Sequence, residues 1–402
     1  MNIVIITGIS GIKKSEFLEN FLKKTGIKDV SQVIKFEDEL TRQKRRAPGI
    51  IPPASVGAFL DQDSSSNKVT AIEQTFSWIT NSIRINKNTQ YVFLDIHLEY
   101  YKKTEYFPPL NPAHFRGWID NIDPDANVKI INLIDDVFNI WQVLKEREEK
   151  YPNTRLTLRE ILAWRSLETL QSESLAASIA AGAGQKSAVP YMVSIKHPFS
   201  TFRNLIIPEV PASIYLSYPI SKTRNVKKRV EQVNDFRNKV HELGKKYNVA
   251  VFDPVTIDEL ILKQTSKERK SVLAQSLRWP LESDDLLIDD DVSDIRLPPS
   301  EIDDSISYVE HQVKSRDLKL VEQAALLVVF RPFYGGMSTG ALAEIRHAKN
   351  LGMDVCIYSP SDDRIDSSDN PFDTSFAPIQ SADEFYKTIE TKLETLSPNN
   401  KR

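Results

Sequence analysis

The sequence predicts an α/β protein of two domains, each built on a parallel sheet, and three observations carry that prediction. Short β-branched runs alternate with longer stretches of helical periodicity along the chain. Two of those runs, NIVIIT (2–7) and LLVVF (326–330), lead through a glycine-containing turn into a helical pattern. At 402 residues the chain also exceeds the length at which a single hydrophobic core stops growing.

The elements follow in order. NIVIIT is a strand, bounded by Gly8 and Gly11, and the next helix carries Phe17, Leu18, Phe21 and Leu22 on one face. Residues 41–66 are basic, then proline-rich, then serine-rich, and read as a mobile surface segment. QYVFLDIH (90–97) is a second strand, followed by an irregular aromatic and proline stretch, and VKIINLI (128–134) is a third. Helical periodicity runs from Asp135 to about Ala181, broken near Tyr151 and Pro152, and YMVSIKHP (191–198) is a further strand. The proline-flanked IIPEVP (206–211) sets the domain boundary, giving domains at 1–207 and 212–395. Alternation then restarts. ASIYLSYPI is a strand, 226–247 a charged amphipathic helix and NVAVFDPV a strand. The acidic stretch 282–305 reads as a mobile loop or lid, and a helix around 308–320 follows it. LLVVFRP, a helix through 340–351 and the strand MDVCIYSP complete the pattern.

Composition narrows the function classes. A net charge of −3 offers no global argument for a nucleic-acid or membrane partner. The single cysteine, Cys356, excludes an intrachain disulfide framework and a cysteine-cluster metal site, and fits a reducing compartment. No stretch approaches the roughly 18 apolar residues of a membrane span. The N-terminal apolar run leads into glycines and a lysine-rich helix rather than a cleavage site, so a soluble cytoplasmic protein is expected.

Chemistry concentrates at the two glycine turns. GISGIKKS (8–15) matches the phosphate-binding pattern G-x-x-x-x-G-K-S/T at Gly8, Lys14 and Ser15, with Lys13 where the second glycine belongs. Successive backbone N–H groups, with Gly11 easing the turn, would cradle phosphate. Lys14 would reach the outer phosphates, and Ser15 with Asp95 would face Mg²⁺. Lys13 adds charge but lacks the freedom of a glycine. Asp95 ends a strand of the type that carries a carboxylate near Mg²⁺, and His97 follows two residues later. At the second turn, Gly335, Gly336, Ser338, Thr339 and Gly340 place amides and hydroxyls at a helix N-terminus, an anion site by geometry. Glu344 lies one turn inside that helix. It is either a working carboxylate or a solvated residue pairing with Arg346 or Lys349.

Taken together, IVIITGISGIKKSEFL, VIKFEDEL, YVFLDIHLEYYKKTEYFPPLNP and the polar helix with Arg155, Arg159 and Arg165 resemble the archaeal type of adenylate kinase, across roughly 1–205. That resemblance implies a P-loop NTPase-like domain with ATP or another nucleotide and Mg²⁺ at the loop, an arginine-bearing lid, and VSIKHPFS beside the adenine. IYLSYPIS, RDLKLVEQAALLVVFRP and GGMSTGALAEIRHAKNLGMDVCIYSP resemble the nucleoside 2-deoxyribosyltransferase and nucleotide N-glycosidase family, across roughly 212–360. This second resemblance implies a Rossmann-like, flavodoxin-like sheet. It implies Glu344 as the carboxylate that attacks or stabilises the anomeric carbon and Tyr215 as its orienting partner. It also implies Ser338 and Thr339 on a phosphate or sugar hydroxyl, and a homo-oligomer. The acid that protonates the leaving base is left open among Asp317, Glu322 and the acidic stretch 282–305.

The function expected is therefore an enzyme that cleaves or transfers at the N-glycosidic bond of a nucleotide, with a nucleotide-binding P-loop domain. A nucleotide sensor without turnover and a nucleoside-monophosphate kinase with an accessory nucleotide-binding domain are the alternatives.

Overall fold

Buried parallel strands need apolar side chains on both faces, and β1 (Asn2–Thr7) meets that need, with every residue after Asn2 buried. The computed structural model describes residues 1–42, 53, 55–61, 65–85, 89–102, 105–146, 156–181, 188–223, 226–264, 297–331, 338–360 and 378–397. These fall into two units, Met1–Ile195 and Lys196–Arg402.

In the first unit, β1 leads through a glycine loop to α1 (Lys14–Thr25), which ends at Gly26 in the left-handed conformation. Next come β2 (Ser31–Lys35), α2 (Phe36–Thr41), α3 (Val56–Leu60), α4 (Ser65–Ile85) and β3 (Tyr91–Asp95). A small antiparallel pair, β4 (Tyr100–Lys102) and β5 (Glu105–Phe107), precedes α5 (Pro112–Ile122), β6 (Asn127–Ile134) and α6 (Val137–Glu146). Then α7 (Leu158–Ala180), opened by a capping box between Thr157 and Glu160, leads to β7 (Ala188–Ser194).

The five long strands form a parallel sheet in the order β2-β3-β1-β6-β7. Strand alternation divides its core in two. Ile3, Ile5, Val92, Leu94, Val128 and Ile130 pack with apolar residues of α4, α5 and α7. On the other face, Phe21 of α1 meets Phe93 edge-on at 5.9 Å. Register sets Asp95 beside Ile6, next to the mouth of the glycine loop. The chain leaves β1 toward one edge of the sheet and leaves β3 toward the other, so a crevice opens between their carboxyl ends.

The second unit begins with α8 (Phe199–Ile206), followed by β8 (Ser213–Ser217), α9 (Ile220–Thr223), α10 (Lys227–Tyr247) and β9 (Ala250–Phe252). Its described residues continue with α11 (Pro299–Glu322), β10 (Leu326–Phe330), α12 (Thr339–Asn350), β11 (Asp354–Tyr358) and α13 (Ala382–Leu396). The parallel sheet runs β11-β10-β8-β9, and its direction reverses between β8 and β10. Ile214 and Leu216 face α10 and α13 through Val233, Phe236, Phe385 and Ile389. By alternation, Tyr215 and Ser217 face the opposite side.

Several sequence expectations shift here. The division falls at 195/196 rather than at the prolines of 206–211. Thr201 donates to the Val251 carbonyl at 3.1 Å and Asn204 to the Val249 carbonyl at 3.0 Å, which ties α8 to the second unit. Residues 299–305 of the acidic stretch are the start of a 24-residue helix, begun by Pro299 at its first position, with Ile302 and Ser305 buried. Within 41–66, Val56–Leu60 is helical and Phe59 is fully buried. Residues 282–296 of the acidic stretch lie outside the described residues.

Candidate functional site

Two sites form, one at each sheet's crevice. In the first unit the glycine loop needs backbone that other residues rarely adopt: Gly8 has φ +143° and Gly11 φ +96°. A Cβ on Gly8 would stand 2.5 Å from the Leu133 carbonyl oxygen. Lys13 takes φ −76°, an ordinary value, so the loop closes into α1 without a third glycine. The side chain of Lys14 is buried, with Nζ 3.0 Å from both Asp95 Oδ1 and the Ile96 carbonyl.

His97 Nδ1 lies 2.6 Å from the Gly8 carbonyl, which can only accept, so this nitrogen carries the ring proton. Burial, then the Lys14 charge, hold the His97 pKa well below its usual value, and the ring is neutral at pH 7. Glu37, from the first turn of α2, comes within 3.6 Å of His97 Nε2. Burial, reinforced by Asp95 and opposed by Lys14, raises the Glu37 carboxyl above the usual range. These groups, with Ser10 to Glu16, Lys35 and Asp38, line a cavity of about 370 Å³.

Glu168 organises this mouth from beneath. It is fully buried and accepts hydrogen bonds from Thr7 Oγ1, from Gly8 N at 3.0 Å, from Leu98 N at 2.9 Å and from Glu99 N at 2.7 Å. One carboxylate thus joins the exits of β1 and β3. Burial and then the Glu168 charge push neighbouring Glu99 up to about 7.

In the second unit Glu344, on the buried face of α12, reaches back over β8. Tyr215 Oη donates to its Oε1 at 3.0 Å and Ser217 Oγ to its Oε2 at 2.5 Å. Burial and the charge of Asp317 push Glu344 up to about 8. Asp317 itself is raised by burial, while Arg316, donating at 2.8 and 3.1 Å to its Oδ1, pulls it down. Arg316 also bonds the buried Glu259 at 3.3 Å. The result is a carboxyl pair at a sheet crevice, where one member holds a proton near neutral pH. Such a pair can supply a proton to a leaving group and present a negative charge to a developing cation.

Among the sequence candidates, Gly11, Lys13, Lys14, Ser15, Asp95 and His97 line the first cavity, the Gly8 carbonyl holds the His97 ring beside it, and Glu344 and Tyr215 meet in the second unit. Ser338 caps α12, accepting from Ala341 N at 3.1 Å; Thr339 and Gly340 begin that helix and are exposed. Gly335, Gly336 and Arg155 lie outside the described residues. Arg165 is buried and donates to the Asp135 carbonyl at 3.1 Å. His197 belongs to the second unit, where it accepts from Asp253 N at 3.0 Å.

Glu322 faces His347 at 3.0 Å on the surface, whereas Asp317 is the candidate among the described residues whose charge acts on Glu344; residues 282–296 lie outside the described residues. Glu37, Glu168 and Ser217 were not singled out by sequence. Among the described residues no helix is long and apolar enough to cross a membrane. No family model matches the chain, and no curated protein matches it.

Proposed function

We propose that this chain processes nucleotides, its second unit breaking or transferring at the N-glycosidic bond and its first binding a nucleoside triphosphate. One observation carries the reading: the carboxylate oxygens of Glu344 are both oriented, by Tyr215 and Ser217, with Asp317 close enough to raise its pKa. The β9-β8-β10-β11 order supports a flavodoxin-like half-sheet, whose ligands bind where strand order reverses. Glu344 and Tyr215 meet at that reversal.

The chemistry follows from the pair. As the C1′–N bond lengthens, its electrons go to the base nitrogen, which takes the proton that Glu344, raised to about 8, carries near neutral pH. Positive charge growing on the sugar favours ionised Glu344 beneath C1′. Water, or an acceptor base, then adds to C1′ and returns a proton to the pair. Tyr215 and Ser217 keep the Glu344 oxygens aimed throughout.

In the first unit, Ser15 and Asp95 are oxygen donors lining one cavity, which fits a hard cation such as Mg²⁺. They would hold it, and it would neutralise phosphate charge. Lys14 would exchange its bond to Asp95 for the outer phosphates. Incubating the protein with a panel of nucleotides and nucleosides, followed by chromatography, tests the reading. Free base is expected, and its absence across the panel would leave a binding protein without turnover.

A further inference from the structure

The inward stripe of α11 is apolar at Ile302, Val309, Val313 and Leu320, but at Arg316 it buries a guanidinium. Nη1 of that group donates at 3.3 Å to Glu259, which is fully buried in a 3-10 turn, Glu259–Lys263, after β9. Nε and Nη2 donate at 3.1 and 2.8 Å to one oxygen of Asp317, Oδ1. Adjacent positions on a helix do not ordinarily face each other, so this contact is no by-product of helix geometry. Nor is it a strong support for the fold, since buried ion pairs stabilise little beside apolar residues of similar volume.

The cluster fixes a direction. A guanidinium is planar and its donors form a rigid fork, so Glu259 at one prong sets where the others hold Asp317. Asp317 in turn is the carboxylate whose charge acts on Glu344. The groups facing the cluster are Glu259 and Asp258 from the segment after β9, Tyr215 and Ser217 from β8, and Glu344 from α12. Lys263, on the same turn as Glu259, pairs with Glu310 of α11 at the surface. His347 of α12 faces Glu322 there as well.

We propose that Arg316 is a positioning residue for cleavage at the glycosidic bond, aiming Asp317 at Glu344 with Glu259 as its anchor. The inference rests on reading the second unit as a glycosidic site. Hydrogen bonds from a cation favour the ionised form of Asp317, which leaves the proton of the pair on Glu344. As the C1′–N bond breaks, its electrons go to the base nitrogen and that nitrogen takes the Glu344 proton. The water that adds to C1′ gives one back. Arg316 neither gains nor loses a proton.

The test uses the full-length protein, the four ribo- and four deoxyribonucleoside 5′-monophosphates, and pH profiles of base release. Arg316→Gln should lower kcat by about 10²-fold, the cost of about an ångström of misplacement, with KM within about threefold of the parent's. It should also move the basic limb of the profile upward by about one pH unit or more, because a cation that favours deprotonation is gone. Glu259→Gln should move that limb the other way, since it removes a negative charge and leaves Arg316 to Asp317. Arg316→Lys keeps the charge but not the fork, so its limb should stay near the parent's while kcat recovers only in part. Carbon-13 NMR of glutamate carboxyls, with Glu344 assigned through Glu344→Gln, should show the same upward and downward movements without turnover. Parent-like kcat in Arg316→Gln and Arg316→Lys overturns the inference alone, as do limbs that coincide in Arg316→Gln and Glu259→Gln. If Arg316→Gln does not fold, Arg316→Lys and Glu259→Gln decide by the same two criteria against the parent. No base release from the parent overturns the glycosidic reading and this inference with it.

Discussion

Replacing Glu344 by Gln should weaken catalysis and strengthen the fold, with a pH dependence that the site dictates. An ordinary glutamate titrates at 4.5, and burial with Asp317 nearby moves Glu344 to about 8. Its folded-state pKa is raised, so the stability it contributes is fully present below 4.5 and is lost as pH rises toward 8. The loss runs at about 1.4 kcal/mol per pH unit across that window and levels off above it. Gln keeps the shape and never titrates. Relative to their difference at pH 4.5, Glu344→Gln should therefore gain on the parent by up to roughly 3 kcal/mol at pH 7 and up to about 4 kcal/mol at pH 8.5. Relaxation of the pocket lowers both figures. Urea denaturation of both proteins at pH 4.5, 7 and 8.5 measures the gain. Parallel stability curves would refute the argument that Glu344 is buried against its own charge. In the same variant, base release should fall by on the order of 10²–10³, the usual effect of removing one electrostatic contribution to a transition state.

Other outcomes follow from the same geometry. The kcat/KM of the parent for base release should decline above about pH 8, as Glu344 loses its proton. A profile flat to pH 10 would contradict that. Gly8→Ala should destabilise the first unit by roughly 2 kcal/mol or more, because φ +143° and the Leu133 carbonyl leave no place for a methyl group. Thermal unfolding checks it. Lys14→Ala should abolish ATP binding in calorimetry, whereas Lys13→Gly should bind at least as well as the parent. Ser338→Ala should cost about 1 kcal/mol through the lost cap on α12, measurable by urea titration.

Much of this arrangement is legible in sequence because it is local. NIVIIT, Gly8, Lys14 and Ser15 lie within one strand–turn–helix unit, and the Gly340–Glu344 spacing fixes the carboxylate one turn into α12. Tyr215 needed the family resemblance, since a buried strand tyrosine has no distinguishing local pattern. Glu168 escaped for a physical reason. It sits in a helix with buried residues around it, such as Arg165, Ser172 and Leu175, and its partners Gly8 and Leu98 are far away in the chain. A polar residue on the inward face of α7 was its only local signal. Ser217 was hidden likewise, because strand alternation puts it with Tyr215 but gives no hint that Glu344 lies above both. The early start of α11 was masked by its acidic composition, although Pro299 at the first helical position marks it.

The central claim is that Glu344 and Asp317 act on a C1′–N bond, and isotopic water tests it most directly. Nucleoside monophosphates incubated with the protein in ¹⁸O-labelled water, without an acceptor base, should give free base and a sugar phosphate carrying one ¹⁸O at C1′. Glu344→Gln should give neither at a comparable rate. Label appearing in inorganic phosphate instead, or base released equally by the Gln variant, would contradict the account.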